Sequence, residues 1–374
     1  MVHKIMPRCR FVSFSIFLFV IMAIFVFIRH QTSWEESVSL EDPMMRSQPA
    51  VKPEETKDQP AGKPKETKDQ PAGKAEEAED YPRRDSTICP NIGTLLANPN
   101  LPRILKSKFH PDVKVMLTQD TKTLDEPINS WWKKLQPFDN KRDFTELAED
   151  LFTVIPGENP FSPGVCRRCA VVGTAGRLKG ARQGKLIDSF DIVIRMNRSP
   201  VKGYEVDVGS KTSYHLVYPE SAVGYRGAES SGKLVLFPFK VLDIEWLKSI
   251  FTTHPISKGW THLPTNLGLK PTDAMVIHPE FIYYVAKTWL EGKGRWASAG
   301  ALSVVWALHI CNEVDVFGFG ANKYGNWDHY YEKFSSKEKD PFRRTGVHDA
   351  NIEETVRMEL HKEKIIRFHP GNPA

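Results

Sequence analysis

The chain has 374 residues, of which 40% are hydrophobic and 26% charged, and it carries a formal net charge of +5. Because this length exceeds a typical domain, we expect a large folded core together with non-globular segments. So small a net charge gives no ground for expecting nucleic acid as a partner, and it suits an anionic small-molecule substrate equally well.

The first segment, residues 11–28, is an uncharged apolar run that follows Lys4, Arg8 and Arg10. As a helix rising ~1.5 Å per residue it would span ~27 Å, enough for a thin bilayer of the endoplasmic reticulum or Golgi kind. The basic residues favour the cytosol, so the sequence predicts a cytosolic tail over 1–10, a transmembrane signal anchor over 11–28 and a lumenal remainder. A cleaved signal peptide is the alternative, but no small-x-small cleavage site follows the run.

Residues 29–85 are rich in Lys, Glu, Asp, Gln and Pro and lack aliphatic periodicity. Within them "KPEETKDQPAG" (52–62) recurs as "KPKETKDQPAG" (63–73), an 11-residue duplication. An 11-residue period can encode a supercoil, but here proline recurs and no apolar positions do. We therefore expect a disordered stem between the membrane and a lumenal globular domain, residues 86–374.

The cysteines divide in the same way as the segments. Cys9 is on the predicted cytosolic side, whereas Cys89, Cys166, Cys169 and Cys311 are on the lumenal side. An even number of cysteines in an oxidising lumen predicts two disulfides, with three pairings open. "CRRC" (166–169) alone would suit a redox dithiol or half a zinc site, but no second CxxC exists.

Helical and β-rich patterns alternate along the globular part of the sequence. The predicted helices are 128–138, 143–155, 278–292 and 297–311. The predicted strands are 169–173, 190–197, 212–219, 232–239 and 313–320. This alternation predicts an α/β fold with a mainly parallel central sheet flanked by helices, in one domain.

The loop "GTAGRLKG" (173–180) follows the first predicted strand. A strand, a Gly-rich loop and then a helix are typical of phosphate binding by main-chain N–H groups. The glycine spacing fits neither the dinucleotide fingerprint nor the P-loop. The loop therefore indicates nucleotide or sugar-nucleotide binding, and an ordinary strand-to-helix turn is the alternative.

Other polar residues stand where a site would need them. Asn197 and Arg198 end a predicted buried strand, and side chains at that end of a parallel sheet face the ligand crevice. His329 and His348 lie in polar segments punctuated by Gly and Asn, and histidine is well suited to proton transfer near neutral pH. No Asp-x-Asp pair follows a strand, which disfavours a transferase that bridges a nucleotide diphosphate with a metal ion.

Together these residues resemble the animal sialyltransferases, in particular the β-galactoside α-2,3 branch acting on Galβ1,3GalNAc. Four motifs within residues 85–370 carry the resemblance: 169–221, 294–320, "DHYYE" (328–332) and His348-x4-Glu353. It implies a modified Rossmann-like fold, a GT-A-like variant. It also implies inverting transfer of sialic acid from CMP-sialic acid to the 3-hydroxyl of a terminal galactose on glycoproteins or glycolipids, without a metal ion or other cofactor.

The resemblance also implies roles for residues. His348 is expected to be the general base, His329 to steady the donor phosphate, and Glu353 to orient His348 or cap the next helix. The expected donor contacts are Thr174, Asn197, Ser298, Gly300 and Tyr330, and the expected acceptor contacts are Tyr218 and Trp296. A Cys169–Cys311 disulfide is implied as well, which leaves Cys89 for Cys166.

Two stretches depart from the family pattern. The family usually has Asn-Ser-Gly-Asn where residues 174–177 read Thr-Ala-Gly-Arg, so Arg177 either adds charge near the phosphate or points away. Tyr-Pro-Ser-Thr-Gly is common where residues 296–300 read Trp-Ala-Ser-Ala-Gly; Trp296 keeps a stacking face but loses the phenol, and Ala299 loses a hydroxyl. Both departures bear on donor affinity and acceptor choice.

Three readings follow from the sequence. The first is a single-pass type II enzyme of the Golgi membrane, with a homodimer as a candidate assembly. The second is a catalytically weak or inactive relative that binds glycan or CMP-sugar in the lumen. The third is another lumenal glycosyltransferase that uses a different nucleotide sugar.

Overall fold

Across the part of the chain that the structure describes, the central element is a parallel sheet of seven strands. In chain order the strands are β1 (Arg168–Val172), β2 (Ile192–Met196), β3 (Tyr214–Val217), β4 (Lys233–Leu236), β5 (Ala274–Val276), β6 (Glu313–Phe317) and β7 (Ile366–His369). They lie side by side in the order β5-β4-β3-β2-β1-β6-β7, and each neighbouring pair is parallel. The predicted α/β fold with a parallel sheet is confirmed.

The computed structural model describes residues 102–136, 138, 140–161, 165–321, 327–332 and 346–372. All of them belong to one compact unit, Pro53–Ala374; a second unit, Met1–Lys52, lies outside the described residues. The predicted tail, anchor and stem, and Cys89, also lie outside them and stay predictions. None of the helices in the described ranges is both long enough and apolar enough to span a bilayer.

Helices cover both faces of the sheet. They are α1 (Arg103–Lys108), α2 (Glu126–Lys133), α3 (Phe144–Leu151), α4 (Gly184–Asp188), α5 (Glu205–Val208), α6 (Ala228–Ser231), α7 (Val241–Ser249), α8 (Pro279–Tyr284), α9 (Ala299–Ile310) and α10 (Ala350–Lys362). A π-helical turn, Val285–Trp289, continues α8.

The strands are apolar on both faces because helices cover both sides of the sheet. In β1, Cys169 and Val171 enter one hydrophobic cluster, whereas Ala170 and Val172 enter the cluster on the opposite face. Helix α9 packs against β1, β2 and β3 and is apolar nearly all round. A helix of that composition is stable only when it is surrounded, so α9 lies at the centre of the fold.

A disulfide between Cys169 and Cys311 joins β1 to the residue after α9, with the two Cα atoms 6.1 Å apart. This confirms the pairing that the family resemblance implied. Cys166 is also disulfide-bonded, so neither cysteine of "CRRC" is part of a redox dithiol. The predicted partner Cys89 is outside the described residues, and the Cys89–Cys166 pairing stays a prediction.

Strand β7 is held at the edge of the sheet by a charged cluster centred on Asp315 of β6. Arg367 donates to both carboxylate oxygens of Asp315, at 2.7 to 3.0 Å, and His369 lies 2.7 Å from Oδ1. The His369 ring also stacks on Phe317, with centroids 4.2 Å apart. These contacts fix the β6–β7 register, which the apolar pattern alone does not.

The expectation that "GTAGRLKG" opens a helix is wrong. Gly176–Leu178 forms one 3₁₀ turn, and the next helix, α4, begins only at Gly184. The chain turns away in between because Asp207 accepts hydrogen bonds from the N–H groups of Gly180 and Arg182 at 2.8 and 2.9 Å. No helix N-terminus therefore stands behind this loop to bind a phosphate.

Candidate active site

The order of the strands creates the crevice in which ligands bind in such sheets. From β1 the sheet grows through β2, β3 and β4 to β5 on one side, and β6 and β7 are added on the other side of β1. The strand order therefore reverses between β1 and β6, and ligands bind beside such a reversal. Gly173 directly follows β1, and its N–H donates a hydrogen bond to the carbonyl of Phe317 at 2.8 Å. A Cβ on Gly173 would lie 2.3 Å from the Gly318 carbonyl oxygen, so only glycine allows this approach.

The Thr174 loop pairs with the "DHYYE" motif, about 150 residues further along the chain. Ala175 forms an antiparallel bridge with His329, and the N–H of Tyr330 donates to the Thr174 carbonyl at 2.9 Å. The N–H of Gly176 donates to the carbonyl of Asp328 at 2.7 Å. The structure thus brings His329 beside the loop in which the sequence placed the donor.

The His329 ring is held by two neighbours. Its Nδ1 lies 2.7 Å from a carboxylate oxygen of Glu332, and the ring stacks on Tyr331 with an interplanar angle of 5°. Partial burial raises the pKa of Glu332, but the hydrogen bond and charge of His329 outweigh this and hold the pKa below its ordinary value. A ring anchored through Nδ1 presents Nε2 to a ligand.

Tyr330 is placed differently from the expectation. Its hydroxyl donates to the Pro200 carbonyl at 2.7 Å, and its ring is buried edge-on against Tyr204. Burial raises the pKa of the Tyr330 phenol. The hydroxyl that was expected to reach the donor phosphate is therefore committed to a main-chain carbonyl, and Tyr330 joins its motif to the segment after β2.

Asn197 follows β2 at the carboxyl edge of the sheet, as the sequence indicated. It has φ +54°, in the left-handed region that asparagine tolerates better than most residues. Its side-chain Oδ1 is buried and has no hydrogen-bond partner among the described residues. Such a buried acceptor is unfavourable by about 1–3 kcal/mol until a donor reaches it, and a bound ligand would supply one.

His348 lies on the other side of the crevice, beside the segment 294–296. The N–H of Arg295 donates to the Val347 carbonyl at 2.8 Å, and Nδ1 of His348 lies 3.0 Å from the Trp296 carbonyl oxygen. Because a carbonyl only accepts, Nδ1 carries the proton, and the lone pair of the neutral ring is on Nε2. This is the tautomer that a general base needs.

The sequence suggested His348 or a helix end as the partner of Glu353, but the hydrogen bonds of its carboxylate within the described residues go to Ser298. Its carboxylate accepts from the N–H of Ser298 at 2.9 Å and from the Ser298 hydroxyl at 2.5 Å. Asp349 caps α10 instead, accepting from the two N–H groups of residues 351 and 352. Burial raises the pKa of Glu353, although the nearby His348 and the Ser298 hydrogen bonds oppose that rise.

Ser298 and Gly300, two expected donor contacts, form the start of α9. The Ser298 hydroxyl caps the helix by accepting from the N–H of Ala301 at 3.1 Å. A Cβ on Gly300 would lie 3.0 Å from the ring of Phe319, so Phe319 packs against the first turn. The Ser298 hydroxyl thus donates to Glu353 and accepts from the first turn of α9, which joins the two.

An aromatic row connects the two expected acceptor contacts to His348. The ring centroids of Tyr218 and Phe239 are 6.2 Å apart, those of Phe239 and Trp296 6.1 Å, and those of Trp296 and His348 6.3 Å. The guanidinium of Arg295 lies 5.1 Å from the Trp296 centroid. Sequence reasoning missed Phe239, although an aromatic residue just after β4 obeys the rule that singled out Asn197.

Arg177 points toward the loop after β6. Its Nη1 donates to the Ala321 carbonyl at 3.4 Å, and its own carbonyl accepts from the N–H of Asn372 at 2.8 Å. Its Nε is buried and, within the described ranges, has no acceptor. The guanidinium is thus directed at the segment that follows β6.

A cleft that is partly open to solvent lies between α9 and α10. Its walls include Phe319, Gly320, Glu353, Glu354 and Arg357. Arg357 is buried, pairs with Glu354 and stacks over Phe368 at 4.3 Å. Through Glu353 the cleft adjoins Ser298. Among the described residues no group of three His, Cys, Asp or Glu side chains is arranged to hold a metal ion.

Comparison with known proteins places the chain in a family. Residues 116–365 match glycosyltransferase family 29 (sialyltransferase). The human CMP-N-acetylneuraminate-beta-galactosamide-alpha-2,3-sialyltransferase 1 is 41% identical over 71% of this chain and 77% of its own length. The mouse sialyltransferase 2 of the same description is 39% identical over 71% of this chain and 75% of its own.

Solved structures agree with this assignment. The crystal structure of a mammalian sialyltransferase covers 78% of this chain and 100% of its own, with 38% identity and a TM-score of 0.68. A mammalian sialyltransferase in complex with Gal-beta-1-3GalNAc-ortho-nitrophenol covers 74% and 97%, with 39% identity and a TM-score of 0.67. The chain belongs to glycosyltransferase family 29, the sialyltransferases.

Proposed function

We propose that the chain transfers sialic acid from CMP-sialic acid to the 3-hydroxyl of a terminal galactose in Galβ1,3GalNAc glycans, with inversion and without a metal ion. The observation that carries the proposal is the tautomer of His348, whose Nδ1–H on the Trp296 carbonyl directs the lone pair to Nε2. Family membership and the activities named for the relatives support the substrates.

The acceptor oxygen must lose its proton as the new bond forms. His348 Nε2 takes the proton of the galactose 3-hydroxyl, and that oxygen attacks the anomeric carbon of sialic acid from the face opposite the leaving group. A base positioned in this way contributes about 10²- to 10⁴-fold to the rate. The bond between the anomeric carbon and the phosphate oxygen breaks, and its electron pair leaves with CMP.

The leaving group is a phosphate ester that already carries charge, so it needs hydrogen bonds and a positive partner more than a strong acid. His329, oriented by Glu332 and placed beside the Thr174 loop, supplies that partner through Nε2. Donors held in place before the reaction stabilise developing charge most effectively. In this site they take the role that a metal ion has in other glycosyltransferases.

The nucleotide is assigned to the crevice between Asn197 and the start of α9. The buried Oδ1 of Asn197 accepts a hydrogen bond from a ligand hydroxyl or amino group, and the cleft beside Ser298 offers aromatic walls and the buried Arg357.

The acceptor is assigned to the aromatic row Tyr218–Phe239–Trp296, since the apolar face of a galactose ring packs on aromatic side chains. The complex of a relative with a Gal-beta-1-3GalNAc derivative supports that acceptor class.

We also propose that the enzyme is a single-pass type II protein of the Golgi membrane with its catalytic domain in the lumen. The support is the apolar run 11–28 with its basic flank, and the oxidising compartment that the Cys169–Cys311 disulfide requires. A homodimer remains a candidate assembly.

Transfer assays on matched variants test the proposed function. Wild-type enzyme with EDTA should sialylate Galβ1,3GalNAc, and His348→Gln should lower kcat by about 10²- to 10⁴-fold. His361→Gln, near the end of α10 and hydrogen-bonded through its ring to the main chain of β7, should stay within about twofold of wild type.

A folded His348→Gln enzyme that keeps more than a tenth of wild-type kcat would contradict the role of His348. A folded wild-type enzyme that binds CMP but transfers nothing would instead support the lumenal binding relative.

A further inference from the structure

His215 of β3 contacts the main chain of Asn197. Its Nε2 lies 2.6 Å from the Asn197 carbonyl oxygen, and His215 is 9% exposed. The register of β2 and β3 pairs Arg195 with His215, so the imidazole reaches the residue just beyond the end of β2. The N–H of Asn197 donates in turn to the Leu216 carbonyl, at 2.8 Å.

The direction of the His215 hydrogen bond follows from its partner. A carbonyl only accepts, so Nε2 of His215 carries a proton and donates it. Burial lowers the pKa of His215 to about 4, although hydrogen bonds with the main chain of Asn197 and Ser231 oppose the shift. The ring is therefore neutral at physiological pH, and the 2.6 Å contact places its one proton on the nitrogen that faces Asn197.

Asn197 needs such support because of its backbone. At φ +54° it occupies the left-handed region, which asparagine tolerates better than most residues but less readily than glycine, and its Oδ1 is buried with no partner in the described part of the chain. Strained conformations of this kind persist only when neighbouring groups hold them, and they cluster at functional sites. Two hydrogen bonds hold the main chain of Asn197 in this conformation: its N–H donates to Leu216 of β3, and its carbonyl accepts from the His215 ring.

We propose that His215 is a positioning residue for the donor site: its Nε2–H fixes the Asn197 carbonyl, and this keeps the Asn197 amide directed at the nucleotide. The inference rests on the proposed function, since it takes CMP as the ligand of Asn197. Without the hydrogen bond, Asn197 samples other backbone conformations. The apparent CMP affinity is then the intrinsic affinity multiplied by the fraction of molecules whose Asn197 is still in the binding conformation.

A purely structural role for His215 is the alternative, since the ring also lies 5.9 Å from that of Tyr225. Three variants separate the two roles. His215→Gln places an amide N–H near the position of Nε2, whereas His215→Asn is too short to reach the carbonyl. His278→Asn is the matched control, because His278 is also buried with its Nε2 on a main-chain carbonyl, that of Thr121 at 2.9 Å. It follows β5, which β3 and β4 separate from β2 and Asn197.

Calorimetry with CMP is the binding test. His215→Asn should weaken CMP binding by about 5- to 20-fold. His215→Gln should recover affinity to within about threefold of wild type, and His278→Asn should match wild type. In an Asn197→Ala background, His215→Asn should have no further effect, because it acts through Asn197.

Amide hydrogen exchange in the ligand-free protein separates failure of the inference from failure of the proposed function. Exchange at the Asn197 N–H should be faster in His215→Asn than in wild type and should be restored in His215→Gln. Unchanged exchange, or an equal loss of CMP affinity in the Asn197→Ala background, would overturn the inference. Faster exchange in a protein whose wild type binds no CMP would support His215 positioning and reject CMP as the ligand.

Discussion

Main-chain carbonyls and carboxylates orient the active-site side chains of this sialyltransferase. Trp296 holds His348 through its carbonyl, and the carboxylate of Glu353 holds Ser298 through both the N–H and the hydroxyl. Both contacts join the segment before α9 to the segment 347–353. A substitution that loosens this junction should therefore affect donor and base together.

Glu353→Gln tests the junction. A glutamine oxygen can accept from one Ser298 group, but its amide donates and cannot replace the second carboxylate oxygen. We expect the KM for CMP-sialic acid to rise about 5- to 10-fold, with a smaller change in kcat, as loss of one hydrogen bond to a charged group predicts. Initial rates over a range of donor concentrations measure both constants.

Glu359→Gln is the control for that experiment, because Glu359 is exposed on the same helix, α10. A donor KM for Glu353→Gln that equals the KM of this control would show that the Ser298 contact does not support donor binding.

Single residues also show where the sequence was insufficient. The positions of His329, His348 and Asn197 at the crevice followed from their motifs. The partners of Glu353 and Tyr330 did not, because they lie at contacts more than 50 residues apart in sequence. The direction of Arg177 depends on the Ala321 carbonyl after β6, which no local pattern reveals.

At the scale of elements, the edge pair β6–β7 depends on charge. Burial raises the pKa of Asp315, but its hydrogen bonds with His369 and Arg367 outweigh that effect and hold the pKa below the ordinary value of 3.8. A lowered pKa in the folded state means that the ionised carboxylate stabilises the fold above that ordinary value. The stabilisation is lost as the pH falls through the lowered pKa.

Asp315→Asn should therefore lower the free energy of unfolding by about 1–3 kcal/mol at pH 7, because Arg367 and His369 lose their carboxylate. The difference from wild type should shrink as the pH falls below 3.8 and through the lowered pKa of the folded protein, because the wild-type carboxyl is then protonated as well. Urea unfolding at pH 7 and at a series of pH values below 3.8, with Asp112→Asn as an exposed control, measures it. A difference that stays constant across this series would refute the assignment.

Elements with strong apolar patterns were predictable, and short or charged ones were not. The runs that became β1, β2, β3, β4 and β6 were identified because they are apolar on both faces. Strand β5 was missed because it has three residues, and β7 because it has four residues, of which Arg367 and His369 are polar, at the sheet edge. The helix expected at Gly176 failed because Asp207, in α5, turns the chain before it can continue.

At the scale of the whole molecule, the strand order assembles four motifs that are separated in sequence by up to about 180 residues. Motif 169–221 supplies Thr174, Asn197 and Tyr218, and motif 294–320 supplies Trp296 and the start of α9. The segments 328–332 and 348–353 add the two histidines, His329 from one side of the crevice and His348 from the other. The site therefore forms when folding brings these four motifs together at one edge of the sheet.

The linkage of the product shows which hydroxyl of the acceptor attacks, and its anomeric configuration shows from which face. Purified enzyme would be incubated with CMP-sialic acid, Galβ1,3GalNAc and EDTA, and the trisaccharide analysed by NMR. We expect one product, in which sialic acid is α-linked to the 3-hydroxyl of galactose. A product with another linkage or a retained β configuration, or release of free sialic acid alone by the folded enzyme, would contradict inverting transfer to that hydroxyl.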